Sequence, residues 1–188
     1  MKRHIKEILF QIIPVAIGVY LGFFVSNWAE ANKRNTDTNK YLENLTAEML
    51  LNKQKIESVA NYHRMLRDSS IYVSIHAKDN LKPAFFQGTR VFPLVQSAFV
   101  TGLQTGVVNE LSLDQIQTIN ELYNQQDYYN DFGKTLTTGL LIFDFSNSEA
   151  ANIKKIASFL GMTMTDVIFQ EESLLQQYDQ ALKILDRL

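Results

Sequence analysis

The alternation of apolar and polar positions divides the chain into a charge-free start, a long striped helix and a set of shorter helical segments. Ile8–Trp28 is 21 residues without a formal charge, preceded by MKRHIKE and followed by AEANKRNTDTNK. As a helix it is about 31 Å long, against about 30 Å for the hydrocarbon core of a bilayer. Its polar residues Gln11, Ser26 and Asn27 lie towards the ends, and Trp28 occupies the place of an interfacial aromatic. The stretch reads as a membrane span. A buried core helix is the first rival, because the strictly apolar part, Ile12–Val25, is only 14 residues; the basic flank and the hydrophilic run beyond oppose it. A cleaved signal is the second, since Ala29-Glu30-Ala31 fits a small-x-small site, but the apolar run is long for one.

Past a polar connector, residues 29–40, apolar side chains recur at steps of three and four: Leu42, Leu45, Met49, Ile56, Val59, Leu66 and Val73. The same frame passes through Asn52, His63 and Ser70. No Gly or Pro stands between Trp28 and Ala77, so a helix leaving the membrane has no reason to stop before about residue 76. Asn32–Asn39, made of weak helix formers, is the expected joint.

Lys78–Pro93 breaks the pattern with Asp79-Asn80, Pro83, Gly88 and Pro93, and its Phe85, Phe86 and Phe92 predict a loop packed on a bundle; a short hairpin about Gln87-Gly88 is compatible with it. Leu94–Asn109 predicts a short helix weakened by Gly102 and Gly106. Ser112 with Gln115 has capping-box spacing and opens a helix that reaches towards Phe143. Ser146 with Glu149 repeats the signal for a helix ending near Gly161, and Thr165 caps a last one carrying Ile168, Leu175, Tyr178, Leu182 and Leu185. The stripes 42–73 and 168–185 are natural partners. The expected fold is all-α, an N-terminal transmembrane helix continuing into a helical, bundle-like domain over residues 41–188.

Charge changes this picture little. Lys2, Arg3, Lys6 and Glu7 precede the span, which leaves 15 Lys/Arg against 19 Asp/Glu after it, a net −4 with no basic patch. That balance speaks against nucleic acid. The positive-inside count is tied, three cations in the tail 1–7 against Lys33, Arg34 and Lys40 beyond. The dense tail resists outward transfer against the membrane potential, so the expected topology is amino end inside and domain outside, in a bacterial inner membrane. There is no cysteine, which removes disulfides, thiolate metal sites and cysteine nucleophiles.

Pro14, Gly18, Gly22 and Ser26 fall four apart on one helix face, and Gly18/Gly22 has the small-xxx-small spacing that lets membrane helices approach. The competing explanation is that Gly is simply common in membrane helices. Asn52 and His63 are either a polar pair that fixes register or points where the stripe drifts into solvent; the first needs burial, so the second is preferred. His4, His63 and His76 are not at metal-ligand spacing. Glu171-Glu172 are about 100° apart and read as a solvated face, as do Lys154-Lys155. Tyr123, Tyr128, Tyr129 and Phe132 are more in keeping with core than with a ligand pocket. No phosphate loop, nucleophile elbow or HExxH motif is present, so no enzyme, cofactor or catalytic residue is expected.

Ile17-Gly18 through Asn27-Trp28, then Glu30 and a basic-polar run into a long helix, resembles a family of small single-span membrane proteins common in Bacteroidota. Thr101-Gly102, Leu122-Tyr123 and Tyr128-Tyr129-Asn130 look like that family's Ser-Gly and Leu-x-x-Tyr-Tyr-Asn region. The resemblance implies this architecture and an envelope location, and brings no catalytic residue. The expected role is therefore an interaction, scaffold or accessory subunit that contacts lipid bilayer and other membrane or envelope proteins, a homo-oligomer included. The alternative is a ligand-sensing helical domain that signals through a partner.

Overall fold

The computed structural model describes the backbone of residues 2–78 and 85–185, with side chains from Ile13 onward. The expected turn at Asp79-Asn80 and Pro83 and the side chains of His4 and Gln11 lie outside the described residues. Four α-helices carry the fold: α1 (Lys2–His76), α2 (Ser97–Thr105), α3 (Leu113–Leu140) and α4 (Ala150–Leu185), with a 3-10 turn at Val107–Glu110. No strand occurs among the described residues, so the hairpin about Gln87-Gly88 does not form.

Helix α1 is a single element of 75 residues, about 112 Å at 1.5 Å per residue. It passes through Pro14 and through Asn32–Asn39 without a break, so the expected joint is helical. Thr36 bonds back to the Asn32 carbonyl at 2.9 Å there. Its apolar start is wholly exposed to the outside of the fold and is long and apolar enough to cross a membrane. From Tyr41 onward the same helix is a bundle member. Leu45, Met49, Ile56, Val59, Leu66 and Val73 are buried, and Leu42 packs at the core's edge.

Helix α4 is the main partner of α1 and runs antiparallel to it. Lys53 meets Asp179, Arg64 meets Glu172, and Ile71 lies against Gly161. This last contact corrects the reading of Gly161 as a helix end. A Cβ built at Gly161 would stand 3.1 Å from the Ile71 side chain and 3.5 Å from its backbone nitrogen, so the glycine marks a close crossing of α1 and α4 inside a continuous helix. Thr165 accordingly does not cap; its hydroxyl donates to the Gly161 carbonyl at 2.9 Å. Nor does Ser146 start α4. Its hydroxyl is taken by Asp144, Asn147 receives the Glu149 N–H at 2.9 Å, and the helix opens at Ala150. The box at Ser112 and Gln115 does form, at 3.3 Å and 2.9 Å. Gly106, with φ of 76°, ends α2 and separates it from the 3-10 turn, splitting the single helix expected over 94–109.

Helix α3 runs parallel to α1 with its backbone set apart from it, and reaches it through side chains. Between them lies the segment 85–96, without secondary structure of its own and turned at Gly88 and Arg90 (φ of 86° and 53°), descending antiparallel to α1. The bundle thus has three helices and, in place of a fourth, this extended segment leading into α2.

Since Leu45 and Ile56 are 0% and 1% exposed while Glu57 is on the outside, Leu45→Asp or Ile56→Asp should cost several kcal/mol, enough to unfold the domain. Glu57→Lys should shift stability by about 0.5 kcal/mol or less. Urea denaturation followed by circular dichroism separates the two classes; equal losses in all three would contradict this core.

Candidate functional site

The polar positions inside the apolar stripe are not solvated. Asn52 and His63 are each 0% exposed, and Glu171 only 1%, which overturns both the drift reading of the first two and the solvated-face reading of the third. Each has a buried partner that no stripe pattern reveals.

Asn52 grips the backbone of Val95 at both ends: its Oδ1 accepts the Val95 N–H at 2.9 Å and its Nδ2 donates to the Val95 carbonyl at 2.6 Å. From the other side Asn130 of α3 does the same to Leu94, accepting its N–H at 2.8 Å and donating to its carbonyl at 3.1 Å. Two carboxamides thus replace the neighbouring strands that an extended backbone would otherwise pair with. Gln126 adds a second donor to the Val95 carbonyl at 2.8 Å, and its Oε1 accepts from Asn52 at 3.2 Å and from the Tyr178 hydroxyl at 2.6 Å. One amide cluster thereby joins α1, α3, α4 and the extended segment.

One turn nearer the amino end of α1, Glu48 caps α2 from outside. Its Oε2 accepts from the Ser97 hydroxyl at 2.9 Å and the Ala98 N–H at 2.8 Å, while Oε1 takes the Tyr123 hydroxyl at 2.7 Å. A carboxylate is well placed there, where helix N–H groups lack partners. Three turns in the other direction, His63 Nε2 donates to the Thr89 carbonyl at 2.7 Å. A carbonyl can only accept, so Nε2 carries a proton, and Nδ1 bonds to Glu171 Oε1 at 2.8 Å through a second proton held between the two groups. Tyr129 donates to the same oxygen at 3.0 Å. Tyr62 completes the series, its hydroxyl donating to the Gly88 carbonyl at 2.6 Å and accepting the Gln87 N–H at 2.9 Å.

The aromatic reading holds for Tyr123 and Tyr129, both 1% exposed, and for Phe132 at the core's edge; Tyr128 is exposed instead. Burial is the first cause, and Glu48 the second, of a Tyr41 hydroxyl pushed up to about 12. Burial likewise raises Tyr123, Tyr129 and Tyr178. The central groups of this seam are closed from solvent, so its chemistry is to satisfy backbone and fix register.

A second feature is open. A groove of about 890 Å³ lies between the first part of the bundle segment of α1 and the α2–3-10 unit; Tyr41, Ala47, Leu51, Val95, Ala98 and Val107 are among its lining residues. At Gly102 a Cβ would run into the Tyr41 ring, so this glycine lets α2 lie close on α1. Pro14, Gly18, Gly22 and Ser26 share the exposed surface of α1, and among the described residues nothing beyond the adjoining helix backbone comes within 4 Å of a Cβ built at either glycine. Among the described residues no three His, Asp or Glu side chains converge as metal ligands. No family model, curated protein or solved structure matches the chain.

His63→Leu should cost about 3–5 kcal/mol by leaving the buried Glu171 with the Tyr129 hydroxyl alone, and the double variant His63→Leu/Glu171→Leu should cost less than the sum of the singles. Urea midpoints for the four proteins of the cycle measure this, and strict additivity would contradict a coupled pair. High pH tests the tyrosines. The folded Tyr41 value lies above the ordinary 10, so the stabilisation held by its neutral phenol is complete below pH 10 and is lost as pH rises through about 12. Thermal melts should therefore hold steady up to about pH 10 and fall beyond it, with part of the tyrosinate absorbance appearing only as the fold is lost.

Proposed function

We propose that the chain is a single-pass inner-membrane protein whose helical domain, outside the cytoplasm, serves as an interaction or accessory subunit of an envelope complex. The observation that carries this reading is the continuity of α1: one helix supplies both the apolar stretch and the longest member of the bundle core. A partner held by the span would be coupled to the domain through a stiff rod, without an intervening linker. Exposed apolar side chains at the far end add to it. Ile71 against Gly161 sets Tyr72 and Met162 at one level, and His63 against Glu171 sets Met65 and Phe169 at another. Tyr72, Met162 and Phe169 are 63%, 73% and 73% exposed. Large apolar groups left in solvent on neighbouring helices are a feature of protein-binding surfaces.

The groove favours a second reading, a ligand-binding domain that signals through a partner. Its size lies within the range of roughly 300–1,000 Å³ usual for small-molecule sites.

The test uses tagged full-length protein from gently solubilised native membranes. Gly18→Leu/Gly22→Leu should insert and fold as the wild type does but lose co-purifying membrane proteins, because bulk at those positions keeps a neighbouring helix at a distance. Tyr72→Lys/Phe169→Lys should keep the membrane partners and lose any bound through the domain. Unchanged recovery in both variants would contradict the interaction role.

A further inference from the structure

We propose that α1 packs in parallel against the α1 of a second copy of this chain, along one face that runs unbroken from Gly18 in the span to Tyr72 near the far end of the domain. The proposal rests on the reading of Ile8–Trp28 as a span, and it names the neighbour that Gly18 and Gly22 admit.

At about 100° per residue a straight helix faces the same way again about every 18 residues. The direction of Gly18 therefore returns at Thr36, Gln54 and Tyr72, and Ala29, Ala47 and Met65 lie about 20° from it. All six are exposed, Met65 at 42% and Tyr72 at 63%. Leu45 and His63 point about 180° away and are both 0% exposed, which fixes the phase of this face against the core. Helix α4 meets α1 at Lys53, Arg64 and Ile71, about 80–100° to one side, and α2 meets it at Glu48, about 120° to the other. Among the described residues no element covers the face between them.

Whatever covers such a face must stand upright beside α1 and match it both in lipid and in water. A second copy in the same membrane does so by construction. Both rods leave the bilayer in the same direction and from the same level, because each span is one piece with its domain helix. A twofold axis along the membrane normal then sets every height of one face against the same height of the other. Inside the membrane, Gly18 and Gly22 let the two backbones approach closely.

The side chains are self-complementary about that axis. Lys40 lies about 40° to one side of the Gly18 direction and Glu43 about 20° to the other, and both are exposed. A twofold axis parallel to the helix turns the Lys40 flank of each copy towards the Glu43 flank of its neighbour, so opposite charges meet twice. Leu50, 44% exposed, lies about 40° to the Glu43 side, and Ala47 about 20° to the Lys40 side. The same operation lays each Leu50 over the small Ala47 of the other copy. Asp68, about 40° off, stays at the rim. Above it Met65 and Tyr72 supply apolar area that a lone domain leaves in water.

The chain has no cysteine, so a single introduced thiol can join two copies only through itself. Full-length protein carrying Ala29→Cys, Gln54→Cys or Met65→Cys is oxidised with copper phenanthroline in native membranes, with Tyr128→Cys, 60% exposed on α3, as the control. Each of the first three should give about tenfold more disulfide-linked dimer than the control, because the bond needs Cα atoms within about 7 Å. Lys40→Glu should lower the dimer at Gln54→Cys about fivefold, and Lys40→Glu/Glu43→Lys should restore it. Gly18→Leu/Gly22→Leu should lower it at Met65→Cys, about 70 Å up the same rod. Dimer at Ala29→Cys alone would overturn the continuous face, as would equal yield at Tyr128→Cys or a charge swap no better than Lys40→Glu. No dimer at any position, with other membrane proteins still co-purifying, would overturn the second copy and leave the interaction role standing. Protein stripped from the membranes by alkaline carbonate would overturn the span and the dimer together.

Discussion

An extended backbone inside a helical bundle has no neighbouring strand, yet each of its N–H and C=O groups needs a partner once water is gone. The rest of this fold depends on how that need is met along residues 87–98. Tyr62 serves Gln87 and Gly88, His63 serves Thr89, Asn130 serves Leu94, Asn52 and Gln126 serve Val95, and Glu48 serves Ala98. Every one of these side chains projects from a helix that would otherwise present an apolar face. At Leu94 and Val95, where the segment is most enclosed, an orphaned backbone group costs about 1–3 kcal/mol, whereas the bonds to the exposed Gln87 and Gly88 compete with water and contribute less. The clasps also fix register. A one-residue slip of the segment would exchange donors for acceptors at Leu94 and Val95 at once.

The same side chains bind the helices to each other. Tyr178 of α4 reaches Gln126 of α3, which reaches Asn52 of α1; Glu171 of α4 collects His63 of α1 and Tyr129 of α3. Because the backbones of α1 and α3 stand apart, their relative height is set through this polar layer and the segment wedged between them. Apolar packing alone would tolerate sliding along the bundle axis. Since α1 also carries the apolar stretch, the domain, its groove and the exposed far end occupy defined heights along one rod. This is what gives the groove its place beside Arg34 and Lys40, and the exposed Tyr72 and Phe169 theirs at the far end.

Much of this architecture was legible in the sequence. The three-four spacing of Leu45, Met49, Ile56, Leu66 and Val73 identifies the buried face of α1 because helix geometry leaves few other ways to bury those residues together. Ser112 with Gln115 marks a true start because both halves of a capping box are local. The failures were non-local. Asn52, His63 and Glu171 looked like breaks in a stripe or a solvated face because their partners, a backbone segment and a helix more than 100 residues away, carry no signature in the neighbouring sequence. Gly161 and Thr165 look like a helix end and a helix start by local rules, whereas the glycine is there for Ile71 of α1. The sequence did hold one usable signal: Asn, His and Ser recurring in the frame of a stripe otherwise apolar, opposite a loop rich in aromatics.

The central claim is that side chains hold this extended segment as firmly as a sheet would. Native-state amide hydrogen exchange at Leu94 and Val95 tests it most directly, since both N–H groups bond only to carboxamides, of Asn130 and Asn52. The account predicts that the two amides exchange as slowly as the core amides of α1 at Ile56 and α4 at Leu174, opening only with global unfolding. Exchange at the pace of a surface loop would contradict it.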